Sequence, residues 1–204
     1  FVTIVEDLPD VNNFKHVFLA KKRMPKLNKL QLNNANIQFD ENGIWINDSC
    51  QTSQSRIYAV GDCTSNCSNA AVAIAHGTIA AEAACGLASV FDSQFIPQVC
   101  WGNPEFAQCG DFDNSVISIK WGQSGLALLR GMQEGFTLIG YCSETQLITG
   151  IAFFGDGATE LISEGVLALE MGATLYDIAQ VVRPHPTRCE LLGLAAKEAL
   201  KIIS

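Results

Sequence analysis

The sequence predicts an α+β fold, an antiparallel sheet with helices packed on it, and three observations in its C-terminal half carry that prediction. Residues 116–121, 136–141 and 148–154 are rich in β-branched and aromatic side chains, which suit a pleated, half-buried surface. The last two runs flank Ser143-Glu144-Thr145-Gln146, a connection short enough for an antiparallel hairpin. From Glu160 to Met171, the residues Leu161, Ile162, Val166, Leu167 and Leu169 recur at helical spacing, and Gly172 follows as a stop. Strands followed by helices, rather than strands alternating with them, argue for an α+β arrangement.

Taken from the start of the chain, residues 15–20 (Lys-His-Val-Phe-Leu-Ala) read as a short buried strand, followed by an Asn-rich polar stretch to about Asn36. Gly43 suits a turn. Ile44 and Ile46 alternate with polar neighbours as in a short strand, and residues 56–60 form a second one that stops at Gly61-Asp62. Residues 69–85 are dense in Ala and end at Gly86, a helix with a glycine stop. Around residues 91–97 helical composition gives way to β-branched and aromatic runs, so a domain boundary is placed there. Gly155-Asp156-Gly157 lacks the third glycine of a phosphate loop and reads as a turn into the helix that follows. A short helix over 175–181 and a terminal one over about 189–203 complete the order.

Composition narrows the function. Of the 204 residues 48% are hydrophobic and 17% charged, which excludes a disordered chain. A net charge of −8, with no basic run longer than Lys21-Lys22-Arg23, argues against nucleic acid and anionic membranes as partners. No apolar run approaches the ~18 residues of a membrane span, so a soluble protein is expected. Eight cysteines at 50, 63, 67, 85, 100, 109, 142 and 189 contain no C-x-x-C pair. They suit neither a disulfide scaffold nor a zinc site; most are expected to be small core residues in a reducing compartment, and no metal site is expected. The opening Phe1–Glu6 has neither a basic start nor an apolar signal core. No targeting peptide is therefore expected, and the expected location is cytoplasmic.

Of the three histidines, His185 has the most suggestive setting, between Pro184 and Pro186 and five residues before Glu190. A carboxylate at the start of a helix can reach back to one ring nitrogen, fix the tautomer and raise the basicity of the other. Without further context the same spacing also describes an ordinary surface pair. Gly61-Asp62 at a strand end could accept hydrogen bonds from ligand hydroxyls, although a Gly-Asp turn is commonplace. The helix starting near Asn69 directs its first N–H groups outward, where its dipole favours negative charge.

Six stretches in order, Arg23-Met24-Pro25, Ile57-Tyr58-Ala59-Val60-Gly61-Asp62, residues 70–77, Asn103-Pro104-Glu105, residues 160–172 and His185-Pro186-Thr187-x-x-Glu190, carry a resemblance. From about Lys15 onward the chain resembles the C-terminal part of the flavoprotein disulfide reductases with two dinucleotide-binding domains. Within that family it is most similar to the dihydrolipoamide dehydrogenases, with glutathione reductase the nearest alternative. The resemblance implies that residues 1–28 are the tail of an NAD-domain-like segment and 29–93 the C-terminal part of an FAD-binding α/β domain. Residues 94–204 are then the interface domain, whose task is dimerisation.

The same resemblance implies that Asp62 bonds the ribityl chain of FAD and that Gly61 beside it belongs to the cofactor-binding residues. Ala70 and Ala71 offer N–H groups to the flavin pyrimidine edge. His185 is the acid–base residue working in the active site of the partner subunit, and Glu190 orients it. It also implies a homodimer, FAD and NAD as cofactors of a complete enzyme, and components of a 2-oxoacid dehydrogenase complex as partners. The sequence departs from the family in lacking both Gly-rich dinucleotide fingerprints and the redox-active C-x-x-x-x-C pair. It also has Lys22 for Gly, Lys26 for Asn, and Asn69-Ala70-Ala71 where lipoamide dehydrogenases tend to read Leu-Ala-His. On its own the chain is therefore expected to be a dimerisation module without activity and without bound cofactor.

Overall fold

The computed structural model describes residues 15, 16, 18, 23–65, 69–92, 94–131 and 133–203. Its centre is a five-stranded, wholly antiparallel sheet in the order β1-β2-β5-β4-β3. The strands are β1 (Gln98–Cys100), β2 (Phe106–Gly110), β3 (Ser115–Lys120), β4 (Phe136–Tyr141) and β5 (Ile148–Phe154). The hairpin of β4 and β5 has the bounds that its composition predicts. Strands β1 and β2 were not foreseen: β1 has three residues, and β2 carries Ala, Gln, Cys and Gly, poor strand formers that owe their conformation to pairing with β5.

The helices are α1 (Ala70–Ala84), α2 (Gly125–Arg130), α3 (Ala158–Glu170), α4 (Leu175–Gln180) and α5 (Glu190–Ile203). Helix α3 packs on β2 and β5, and α5 on β3 and β4. Their close approach is set by small residues: an added Cβ on Gly165 of α3 would stand 3.0 Å from Ile151 of β5. The fully buried Ile139, Ile151, Phe153, Leu191, Leu192 and Ala195 form the shared core. Leu167, although on the helical repeat, points outward at 63% exposure, and Met171 four residues later is 76% exposed.

Register puts Gly110, Gly150 and Gly140 side by side across β2, β5 and β4. The missing side chains let the backbone of Asp111 lie over the row, where its N–H donates to the Thr149 carbonyl and its carbonyl accepts from Thr149 Oγ1 at 2.9 Å.

The N-terminal part has a small core of its own, with Leu27, Leu32, Ile37, Ile44 and Ala59 buried together. The strands expected at 44–46 and 56–60 do not form. Ile44 makes single bridges with Phe39 and Thr64, and Tyr58 makes one with Gln51, because neither run has a neighbouring ladder among the described residues. Gly61–Cys63 is instead a turn of 3₁₀ helix. The strand expected at 15–20 lies largely outside the described residues; Phe18, one of its described members, is 94% exposed and in no strand. Helix α1 agrees with expectation, capped by Asn69 and ended through Gly86 at φ +83°. Of the described cysteines only Cys50 and Cys109 are buried, so the expectation that most are core residues holds for these two alone.

Candidate functional site

The connection between α4 and α5 brings His185 and Glu190 together. Glu190 is the first residue of α5, where the helix dipole favours its charge. Its Oε1 lies 2.9 Å from His185 Nδ1, and its Oε2 accepts the Thr187 N–H at 2.9 Å. Thr187 Oγ1 in turn donates to the Pro184 carbonyl at 2.7 Å, closing the loop on itself. These hydrogen bonds, the one from His185 foremost, hold the Glu190 carboxyl below the usual glutamate range. An ionised carboxylate only accepts, so in the neutral ring Nδ1 carries the proton and Nε2 the lone pair. Nε2 belongs to a ring whose side chain is 75% exposed, on an open surface of this chain rather than in the cleft that a catalytic histidine suggests.

The second group of expected residues lies in the N-terminal part. Gly61 takes φ +70°, and the turn packs so closely on α1 that an added Cβ would stand 3.1 Å from Ala73 Cβ. Asp62 is half exposed and faces Arg23 at 3.5 Å. At the start of α1 the Asn69 side chain accepts the Ala71 N–H at 2.8 Å and donates to the Pro97 carbonyl at 2.9 Å. One of the two N–H groups expected to face a ligand is therefore already engaged by the cap. Ala70 rather than Ala71 is thus the uncapped member of the pair, and Asp62 stands in the turn that packs on α1 at Ala73.

Sequence reasoning missed His76. It is buried on α1, edge-on to Phe91 at 4.7 Å, with Nδ1 accepting the Gly61 N–H at 3.4 Å; burial depresses its pKa. The ring ties the Asp62 turn to α1 and borders a cavity of about 710 Å³ between Asn69 and Val99. Nothing in the local sequence marked it, because its partners are 15 residues away in either direction. Glu105 was quoted only as part of a motif. Its Oε2 accepts both the N–H (3.0 Å) and the hydroxyl (2.7 Å) of Thr159 in the first turn of α3, which lowers its pKa. Among the described residues no cluster of His, Cys, Asp and Glu could hold a metal ion, and no helix is long and apolar enough to cross a membrane.

Comparison with known proteins gives one answer. Residues 96–196 match the family described as pyridine nucleotide-disulphide oxidoreductase, dimerisation domain, and residues 13–77 match pyridine nucleotide-disulphide oxidoreductase. Dihydrolipoyl dehydrogenase of Thermus scotoductus is 36% identical over 202 residues, covering 92% of this chain and 44% of the relative. The same enzyme of Buchnera aphidicola is 34% identical, covering 96% and 44%. The chain thus spans less than half the length of these relatives. The crystal structure of LpdA from Mycobacterium tuberculosis matches with a TM-score of 0.79 at 25% identity, over 85% of this chain and 40% of that one. The HOCl-induced flavoprotein disulfide reductase RclA of Escherichia coli, at 18% identity and a TM-score of 0.80, shares the fold.

Proposed function

Because the chain belongs to the pyridine nucleotide-disulphide oxidoreductases, we propose that it serves as the C-terminal part of a dihydrolipoyl dehydrogenase that oxidises dihydrolipoyl groups with NAD. Residues 94–204 act in this reading as the interface domain of a homodimer, 29–93 as the end of the FAD-binding domain, and 1–28 as the tail of the segment before it. The observation that carries the reading is the 2.9 Å contact of His185 Nδ1 with Glu190 Oε1, in a loop closed by Thr187.

His185 Nε2 takes the proton from a dihydrolipoyl thiol, and the resulting thiolate would attack the redox-active disulfide that the complete enzyme supplies, forming a mixed disulfide as one of its two sulfurs leaves as thiolate. Glu190 keeps the Nδ1 proton in place and stabilises the imidazolium formed as the proton arrives. The exposed position of the ring suits a base that works in the site of a second subunit. When bound, FAD and NAD supply the redox chemistry that carries the substrate's electron pair away as hydride. Towards FAD this chain offers Gly61, Asp62 and Ala70, the Ala71 N–H being held by Asn69, which leaves the isolated chain a dimerisation module without activity. Components of a 2-oxoacid dehydrogenase complex are the proposed partners of the complete enzyme.

The test places His185→Gln in the complete enzyme and measures dihydrolipoamide turnover. A loss of about 10²–10⁴-fold is expected, the worth of a positioned acid–base group. Glu190→Gln is expected to cost less, since the base remains. Near-normal turnover with His185→Gln overturns the reading.

A further inference from the structure

We infer that Arg183 and Arg188 are positioning residues for His185, a pair of anchors that fasten the loop before and after the imidazole to helix α3. The inference deepens the proposed acid–base role and rests on it. An exposed histidine on a loop has no reason to hold one orientation. Glu190 is fixed as part of α5, so the 2.9 Å contact survives only if the backbone at residue 185 is fixed independently. Pro184 and Pro186 restrict two φ angles but do not attach the loop to anything.

Arg183 supplies the upstream attachment. Although charged, its side chain is only 7% exposed, and Nη2 meets Glu164 Oε1 of α3 at 2.5 Å. Nη1 donates to the carbonyls of Ile178 (2.9 Å) and Val181 (3.3 Å), at the end of α4. The guanidinium rests on α5 where that helix has no side chain: a Cβ added at Gly193 would come within 2.6 Å of Nη1. One residue thus grips α3, α4 and α5 at once, two positions before the histidine. A charge buried this deeply is costly unless it is paired and bonded, so its conformation is tightly defined.

Arg188 supplies the downstream attachment. Its Nη2 pairs with Asp156 Oδ2 in the turn that starts α3, and its guanidinium lies along Gly157. The same turn is held by Glu105 through Thr159, so Arg188 is tied to a braced element. Arg188 fills a variable position of the His-Pro-Thr-x-x-Glu motif and Arg183 lies outside it. Between the anchors, Thr187 Oγ1 bonded to Pro184 O fixes the remaining turn around His185.

The tautomer of the imidazole reads the geometry directly in this chain. Long-range ¹H–¹⁵N NMR of the labelled protein, above the pH at which the ring is protonated, is expected to show His185 as the Nδ1–H form. In Asp156→Asn, in Gly193→Ala, and in the double variant Arg183→Met/Glu164→Gln, which leaves no buried charge unpaired, that signal is expected to give way to the Nε2–H form. The rest of the spectrum is expected to stay native. A fold maintained with the Nδ1–H signal intact in these variants overturns the inference. Should the double variant not fold, Asp156→Asn, a half-exposed site, and Gly193→Ala decide it by the same signal. This outcome is independent of turnover: full activity of His185→Gln in the complete enzyme defeats the acid–base role, whereas an unchanged tautomer in the variants defeats the anchors.

Discussion

Replacing Gly150 by Ala adds one methyl group to the centre of the sheet, and the structure says what it meets. An ideal Cβ there stands 2.4 Å from the Asp111 carbonyl oxygen and 2.9 Å from both the carbonyl carbon and the amide nitrogen of the same residue. All three are backbone atoms, so no side chain can swing aside. To admit the methyl, the Asp111 peptide must lift off the glycine row, releasing its N–H bond to Thr149 O and the Thr149 Oγ1 bond to its carbonyl. Overpacking costs about 1–3 kcal/mol, and two hydrogen bonds contribute roughly 0.5–1.5 kcal/mol each. The sum is about 2–6 kcal/mol. At roughly 2–4 °C per kcal/mol for a chain of this size, the melting temperature falls by about 4–24 °C. Gly125→Ala is the same chemical change where nothing lies within 4 Å. There the lower entropy of the unfolded chain should stabilise by about 0.4–1 kcal/mol. Urea denaturation followed by far-UV circular dichroism gives both numbers. If Gly150→Ala lies within about 0.5 kcal/mol of the parent, the usual range of a surface change, then the close crossing of Asp111 over β5 is wrong.

Three further outcomes are expected. Glu105 has its pKa lowered by the bonds from Thr159, so its stabilisation is complete above the unfolded glutamate value and is lost as pH falls through the lower folded one. The stability gap between parent and Glu105→Gln should accordingly be open at neutral pH and close on acidification; a gap that does not vary with pH contradicts this. Leu167→Glu, on the outward face shared with Met171, should turn a two-fold dimer into a monomer in sedimentation velocity, since a charge is placed where an isologous contact of over ~1,000 Å² is expected. An unaltered dimer moves the interface elsewhere. The purified chain should show no flavin absorbance, because one wall of a dinucleotide site leaves most of the binding energy missing; a yellow protein refutes that.

The legible parts of the fold were those whose signal is local. The bounds of β4 and β5 followed from two β-rich runs around a short polar turn, and α3 from its repeat and Gly172. What could not be read depends on partners far along the chain. Strand β2 is made a strand by hydrogen bonds to β5, 40 to 48 residues later, and most of its own residues argue against it. The runs at 44–46 and 56–60 fail for the converse reason: their composition suits strands, but the structure offers them only single bridges, leaving Ile57 and Val60 more than a third exposed. Periodicity also left the side of Leu167 open, because a helical repeat marks an apolar side without saying which apolar residue meets the sheet and which is left for another surface.

The candidate site divides along the same line. His185 and Glu190 were readable as a pair because five residues and a helix start leave a carboxylate few other places to reach. Thr187, which binds both sides of that loop, sits in the same motif. The arginines were not readable, although one precedes the motif and the other fills one of its variable positions, because the carboxylates that hold them lie 19 and 32 residues upstream, on α3 and in the turn before it, and only the tertiary fold brings them to this loop. Gly193 shows how little of this the sequence displays. In the pattern of α5 it is only a weak helix former among Leu and Ala, yet its missing side chain is what admits the Arg183 guanidinium between α3, α4 and α5. A glycine that weakens its own helix while creating room for a buried cation trades local propensity for the placement of a loop. The residue standing at the middle of that loop is the histidine.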